Sequence, residues 1–290
     1  MKEKNINDGI SGSVSVTLNA MNYLRGIIET SPAEDRSGFF LEISKKSDKL
    51  CKRYWYMAGI NNQIKSVIRE ARVKTRSEKD LKTIRRKSLE QLEESIELYR
   101  KTVEKAAKNA AKLFYTENSI FVFSNSVTIF KALELYYKNR GADLVINTVE
   151  AKPGSEGIVF AKACADLGFQ VNLYPDMNIV NAIANSDMVI IGADRMLCDE
   201  FFNKSGTSIV LEIGRKFGRQ NVIVTDQSKI LKLSDFLVGQ LEGSPDSSLP
   251  EDGYRVISYY FERITYENID RVVTEMGSFE FEDFKIRYLE

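Results

Sequence analysis

The sequence predicts an α/β protein: a helical N-terminal domain followed by a Rossmann-like parallel-sheet C-terminal domain. Three observations carry this. Apolar residues recur at helical spacing through the first 112 residues, short apolar runs alternate with amphipathic stretches from Ser119 onward, and the residues after those runs are polar. The expected domains are 1–112, which contains a long connector helix, and 113–290.

In the first half, Val16, Ala20, Tyr23, Leu24 and Ile27 mark one helix, which Thr30-Ser31-Pro32 should end. Leu89, Leu92, Ile96, Tyr99 and Val103 mark another. Glu90 to Ala111 lacks Gly and Pro, so a long helix leading into the second half is expected. In the second half, the runs Ile120–Phe123, Leu144–Val149, Val171–Tyr174, Met188–Ile191 and Val222–Val224 read as strands. Stretches near 126–139, 155–167, 177–185 and 206–218 read as the intervening helices. Right-handed crossovers then give a parallel sheet covered on both faces. A last unit is expected: Tyr254–Tyr260 extended, a short helix near Glu267, and Arg271–Thr274 as the final strand.

The ends of those strands are informative. They read Ser124-Asn125-Ser126, Glu150 to Lys152, Asp176, Asp194 and Thr225-Asp226. In a doubly wound sheet such ends share one edge, where ligands bind. Polar residues there also serve as turns and helix caps, but five polar ends in succession favour a site. The densest stretch is Asp187 to Thr207. A buried strand empties into Gly192-Ala193-Asp194, and after a loop Asn203-Lys204-Ser205-Gly206-Thr207 is expected to open a helix. That sets an acid beside an anion cradle.

Composition removes several alternatives. The chain of 290 residues contains no histidine, so imidazole bases and His-ligated metals are excluded. Without a CxxC pair a structural zinc is not expected, and no metal or cofactor is assigned. Proton transfer falls to Asp, Glu, Lys, Tyr or Cys. Cys51, Cys164 and Cys198 are too scattered for a disulfide framework. Cys198, four residues past Asp194, is the weaker candidate nucleophile, whereas Cys164 reads as packing and Tyr54 and Trp55 as core or interface. No apolar run reaches the roughly 18 residues of a membrane span. The polar start MKEKNINDG lacks a signal peptide's apolar stretch, so a cytoplasmic, membrane-free protein is expected.

Net charge is zero but unevenly placed: residues 1–112 hold 24 Lys/Arg against 15 Asp/Glu. Arg69, Arg72, Lys74, Arg76, Lys79, Lys82, Arg85, Arg86 and Lys87 form the densest cluster. It reads first as a solvated helical face. A docking surface for the acidic half, an acidic partner or a phosphorylated ligand are the alternatives. Nucleic acid is not expected, because no aromatic residues interleave these charges.

The stretch Val189 to Thr207 resembles the translation initiation factor 2B alpha/beta/delta family, homologous to ribose-1,5-bisphosphate isomerase and methylthioribose-1-phosphate isomerase. That family reads close to V-G-A-D, a loop, then N-K-I-G-T, with Ser205 here in place of Ile. FSNSVTIFKAL (123–133), EAKPGSEGIVFAKACADLGFQV (150–171) and YYFERITYENIDRVVTEMG (259–277) resemble further family segments, as AMNYLRGII and NNQIKSVIREAR do less specifically. The resemblance implies the two-domain fold and dimerisation through the second domain. Partners would be a phosphorylated sugar or nucleotide, a second copy, and related initiation factor 2B subunits or initiation factor 2.

The departures bear on chemistry. In the isomerases a cysteine after the first strand works with the GAD aspartate. Ser124 stands at that position, and its hydroxyl has no thiolate-like form near neutrality. The regulatory subunits also lack that cysteine. Lys152 replaces the usual Arg and loses its bidentate fork, and Tyr266 replaces a Pro. Two functions follow as expectations. The first is a regulatory or ligand-sensing subunit-like member. The second is an aldose–ketose isomerase acting on a 1-phosphorylated pentose, with Asp194 as acid and base. In either, Ser124 and Asp194 occupy the catalytic positions, while Asn203, Lys204, Gly206, Thr207, Ser126, Lys152 and Lys229 bind ligand.

Overall fold

Four helices come first: α1 (Ser13–Thr30), α2 (Arg36–Arg53), α3 (Ala58–Lys74) and α4 (Leu81–Ala111). The structure, a computed structural model, describes Ile6 and residues 12–231, 246–248 and 256–290. Apart from Ile6, the polar start MKEKNINDG lies outside the described residues, as do 254 and 255 of the expected extended stretch. α1 buries Val16, Ala20, Met21, Leu24, Ile27 and Ile28 on one stripe, the period its sequence shows. The side chains of Asp35 and Asp80 cap α2 and α4 by accepting from Gly38 N (2.7 Å) and Thr83 N (2.8 Å). α4 runs 31 residues. Its first part packs into the helical core through Leu92, Ile96 and Tyr99, and its last turns lie on the sheet through Ala107, Ala110 and Ala111.

The basic cluster is largely structural. Arg85 donates to Ile28 O (2.8 Å), Glu29 O (2.7 Å) and Ser31 O (2.9 Å), closing the C-terminus of α1. Lys74, Arg86 and Lys87 pair with Glu94, Glu90 and Glu78.

The sheet strands are β1 (Ser119–Val122), β2 (Val145–Val149), β3 (Gln170–Tyr174) and β4 (Met188–Ile191). Beyond the hairpin β5 (Arg195–Met196) and β6 (Glu200–Lys204) comes β7 (Gln220–Val224). Short segments β8 (Asp246–Ser248) and β9 (Val256–Ser258) pair with each other, then β10 (Phe261–Thr265), β11 (Arg271–Thr274) and β12 (Gly277–Glu280) follow. The main sheet has the order β12-β11-β7-β4-β1-β2-β3, parallel except for β12. Alternate residues face opposite layers. Ile120, Val122, Met188, Ile190, Val222 and Val224 pack toward α4, α5 (Val127–Arg140) and α6 (Glu156–Leu167). Phe121, Val189, Ile191 and Ile223 pack toward α7 (Ile179–Ala184), α8 (Thr207–Lys216) and α9 (Phe281–Phe284). The inner strands are buried on both faces, which is why they read as continuous apolar runs, while the edge strands β3 and β12 are partly exposed.

Three expectations are corrected. Asn203 and Lys204 end a strand rather than open a helix, because β6 pairs antiparallel with β10 and β5. The helix waits until Thr207, after Gly206 has turned the chain with φ +101°. Near Glu267 there is a turn closed by Ile269 N donating to Tyr266 O (2.9 Å). The five residues between β10 and β11 are used up in reversing the chain. β11 is not last: β12 adds an antiparallel edge and α9 follows.

Candidate functional site

β1 and β4 are neighbours, and the chain leaves them toward opposite sides of the sheet. This is the switch point at which the carboxyl ends of parallel strands leave a crevice. After β1 the chain enters Phe123 and Ser124, whose φ of 65° is left-handed, a conformation uncommon for a residue with a side chain. Ser126 then caps α5 by accepting from Ile129 N (3.4 Å). After β4 come Gly192, Ala193 and Asp194. The main chain of Asp194 is held from two sides, N donating to Phe202 O (2.9 Å) and O accepting from Ala58 N (3.0 Å). The second bond fastens the start of α3 to the site.

A narrow cavity opens there, enclosing about 60 Å³. Asp194, Ser124, Ser126, Asn203, Lys204 and Lys229 all line it. Gly206, Thr207 and Lys152 do not. Thr207 Oγ1 accepts from Asn203 Nδ2 (3.0 Å) and donates to Lys204 O (2.6 Å), so it positions the pair. The first amides of α8 are already occupied, since Gly206 N (3.0 Å) and Ser208 N (2.8 Å) donate to Glu262 Oε1. The exposed Lys152 ammonium pairs with Glu150 (2.7 Å), which raises its pKa.

Several lining groups escaped sequence reasoning: Gly12, Ser13 and Val14 at the start of α1, Met57 before α3, Glu156 opening α6, and Tyr260 and Phe261 entering β10. None carries a local signal, because long-range packing brings each in. The open helix start at the cavity is therefore that of α1, not α8, and its partial positive charge favours an anion.

The charges are arranged in two sets. Lys204 Nζ lies 2.9 Å from Glu156 Oε2 and 3.1 Å from Oε1, donates to Pro153 O, and sits 3.7 Å over the Tyr260 ring. The Tyr260 hydroxyl donates to Glu156. Burial pushes the Lys204 pKa down, against the pull of Glu156. Lys229 is 4 % exposed, and its ammonium makes no ion pair or hydrogen bond among the described residues. Its turn is fixed from two sides: Asp226 Oδ1 accepts from Ser228 N (3.0 Å), and Asn62 Nδ2 donates to Ser228 O (2.7 Å) and Ile230 O (2.9 Å). The half-buried Asp194 has its pKa raised by desolvation, against the attraction of Lys229 and a hydrogen bond with Ser13. A desolvated carboxyl raised in this way, in a cavity, is a candidate for proton exchange with a ligand.

Cys198 does not line the cavity. Burial pushes the Cys164 thiol up to about 12, as expected of a packing residue. Trp55 packs edge-on against Phe202 (5.4 Å), and Arg195 lies 5.5 Å over both rings, sealing the junction between the helices and the β5–β6 hairpin. Among the described residues no helix is long and apolar enough to cross a membrane.

A sequence profile of the Initiation factor 2 subunit family matches residues 9–281. Over 148 residues the chain is 28 % identical to the ribose 1,5-bisphosphate isomerase of Methanocaldococcus jannaschii, an alignment covering 48 % of this chain and 47 % of that protein. The match thus spans about half the length of that curated relative. The fold is that of the Pyrococcus horikoshii translation initiation factor eIF-2B, with TM-score 0.75, 17 % identity, and 93 % and 91 % of the two chains covered. It is also that of the 5-methylthioribose 1-phosphate isomerase of the same organism, with TM-score 0.70, 19 % identity, and 96 % and 83 % covered.

Proposed function

The chain belongs to the initiation factor 2 subunit family, and from that premise we propose that it is a regulatory, ligand-sensing member. The ligand is a phosphorylated sugar or nucleotide, bound in the switch-point cavity. The observation that carries this reading is Lys229, buried beside Asp194 with its ammonium uncommitted among the described residues. A buried, unpaired cation is costly unless an anion completes it. A phosphate provides that charge, and the start of α1 adds main-chain donors. Asp194 takes a ligand hydroxyl. Ser124 at the isomerase cysteine position removes the thiol and leaves a binding site. In this reading residues 1–112 are the helical domain and 113–290 the ligand-binding, dimerising domain of a cytoplasmic protein. A second copy or related initiation factor 2B subunits are its protein partners.

The test is thermal unfolding with ribose 1-phosphate and with adenosine monophosphate. A ligand at about 100 times its Kd adds about 2.7 kcal/mol, a readily measured rise in Tm. An unmoved Tm with both compounds at millimolar concentration refutes the reading.

The raised pKa of Asp194 favours a second reading, isomerisation of a 1-phosphorylated pentose. The C1 phosphate blocks free ring opening, so an acid must protonate the ring oxygen and a base must then move hydrogen from C2 to C1. Asp194 serves for both. Proton NMR of the mixture would show ketose signals, and Ser124→Cys should raise any trace turnover. No ketose from either protein sinks this reading.

A further inference from the structure

Four charged side chains line the cavity: Asp194, Glu156, Lys204 and Lys229. They cancel, but they are not equivalent. Lys204 and Glu156 form a desolvated pair, 3 % and 5 % exposed, joined at 2.9 and 3.1 Å and closed by the Tyr260 hydroxyl. The chain on either side of Glu156 is closely packed. A Cβ on Gly154 would overlap the Tyr260 hydroxyl and lie 2.9 Å from Glu156 Oε2. A Cβ on Gly157 would overlap the Val149 carbonyl oxygen. A side chain at position 154 would therefore displace Tyr260 or Glu156 from this contact, and one at position 157 would push the start of α6 away from β2.

Drawing Lys204 toward a ligand would strand a buried carboxylate, which is the costly half of breaking such a pair. The positive charge open to a ligand is therefore that of Lys229, helped by the α1 amides. One phosphate suits it. A second phosphate in so narrow a cavity would face the Glu156 carboxylate without a free counter-charge among the described residues.

We infer that Glu156 is a specificity-determining residue: by holding Lys204 in a buried ion pair, it restricts the cavity to ligands carrying a single phosphate group and rejects bisphosphates. This rests on the phosphorylated-ligand reading above.

Calorimetric titration of the full chain with ribose 1-phosphate and with ribose 1,5-bisphosphate tests it. The parent protein should bind the monophosphate at least about tenfold more tightly, the scale of one close charge interaction. Glu156→Gln keeps one acceptor oxygen, which Tyr260 and Lys204 can share, but frees the lysine's charge. It should improve bisphosphate binding by about tenfold or more. In the double variant Glu156→Gln/Lys204→Met, which has neither charge, that gain should be absent. The parent ratio needs no variant to fold, so it stands as a test alone. Equal or tighter bisphosphate binding by the parent overturns the role of Glu156 while leaving the ligand reading intact. So does an unchanged ratio in Glu156→Gln, or a gain that persists in the double variant. If the parent binds neither sugar, the ligand reading falls, and this inference with it.

Discussion

Tyr266→Phe removes one oxygen from a side chain that pins the hairpin carrying Asn203 and Lys204. Tyr266 is buried, stacked on Phe201 at 5.3 Å and Phe281 at 4.7 Å, and its hydroxyl lies 2.9 Å from Leu197 O and 3.1 Å from Glu200 O. The two carbonyls are not equally dependent on it. Glu200 O also accepts from Leu197 N at 2.8 Å, so it keeps a partner after the substitution. Leu197 O has no other partner among the hydrogen bonds described here, so it would be left unsatisfied beside a nearly buried residue. One net buried hydrogen bond plus one stranded acceptor comes to about 1–2 kcal/mol. The ring and both stacks survive, which excludes a cavity contribution. Urea denaturation should therefore show a lower midpoint at unchanged slope. The melting temperature should fall by roughly 2–4 °C for each kcal/mol in a chain of this size. A loss under about 0.3 kcal/mol would refute the argument that this hydroxyl seals the hairpin turn.

Burial pushes the Glu275 carboxyl up to about 7, reinforced by the nearby Asp226, while Gln227 N and Lys105 pull it down. A carboxyl raised on folding contributes stability that is present below the unfolded value and lost as pH rises through the folded one. Glu275→Gln should thus match the parent near pH 4 and exceed it at pH 8 by about 1–2 kcal/mol, allowing for its solvent-facing side; stability curves that stay parallel from pH 4 to 8 count against it. Arg85→Leu strips three carbonyls at the C-terminus of α1 of their donor and should cost about 1–2 kcal/mol. Lys82→Leu in the same basic cluster, whose ammonium makes no ion pair or hydrogen bond among the described residues, should cost within about 0.5 kcal/mol, as surface changes do. Equal effects in chemical denaturation would return that cluster to an undifferentiated charged face.

Most of the fold was legible from period and punctuation. Met188–Ile191 and Arg271–Thr274 match their observed bounds and the other parallel strands match within two residues, because strands inside a covered parallel sheet carry apolar runs; the antiparallel edge β12 was not predicted. Of the five polar strand ends, those after β1 and β4 line the cavity, since the switch point brings these two together, while Glu150 to Lys152, Asp176 and Thr225-Asp226 do not. Where reading failed, a distant partner decided. Asn203 and Lys204 look like a helix start, but β10, about 60 residues onward, recruits them into a strand.

The sequence by itself determined the layering and the sheet edge at which the cavity opens, because these follow from local periodicity and the handedness of crossovers. Tertiary structure alone decided which charges are free. Glu156 meets Lys204 across 48 residues, while Glu262 reaches the start of α8 across 54 or more. Lys229 is buried without a partner among the described residues. An ion pair depends on separation in space and on desolvation, and neither is encoded in the spacing of residues along the chain.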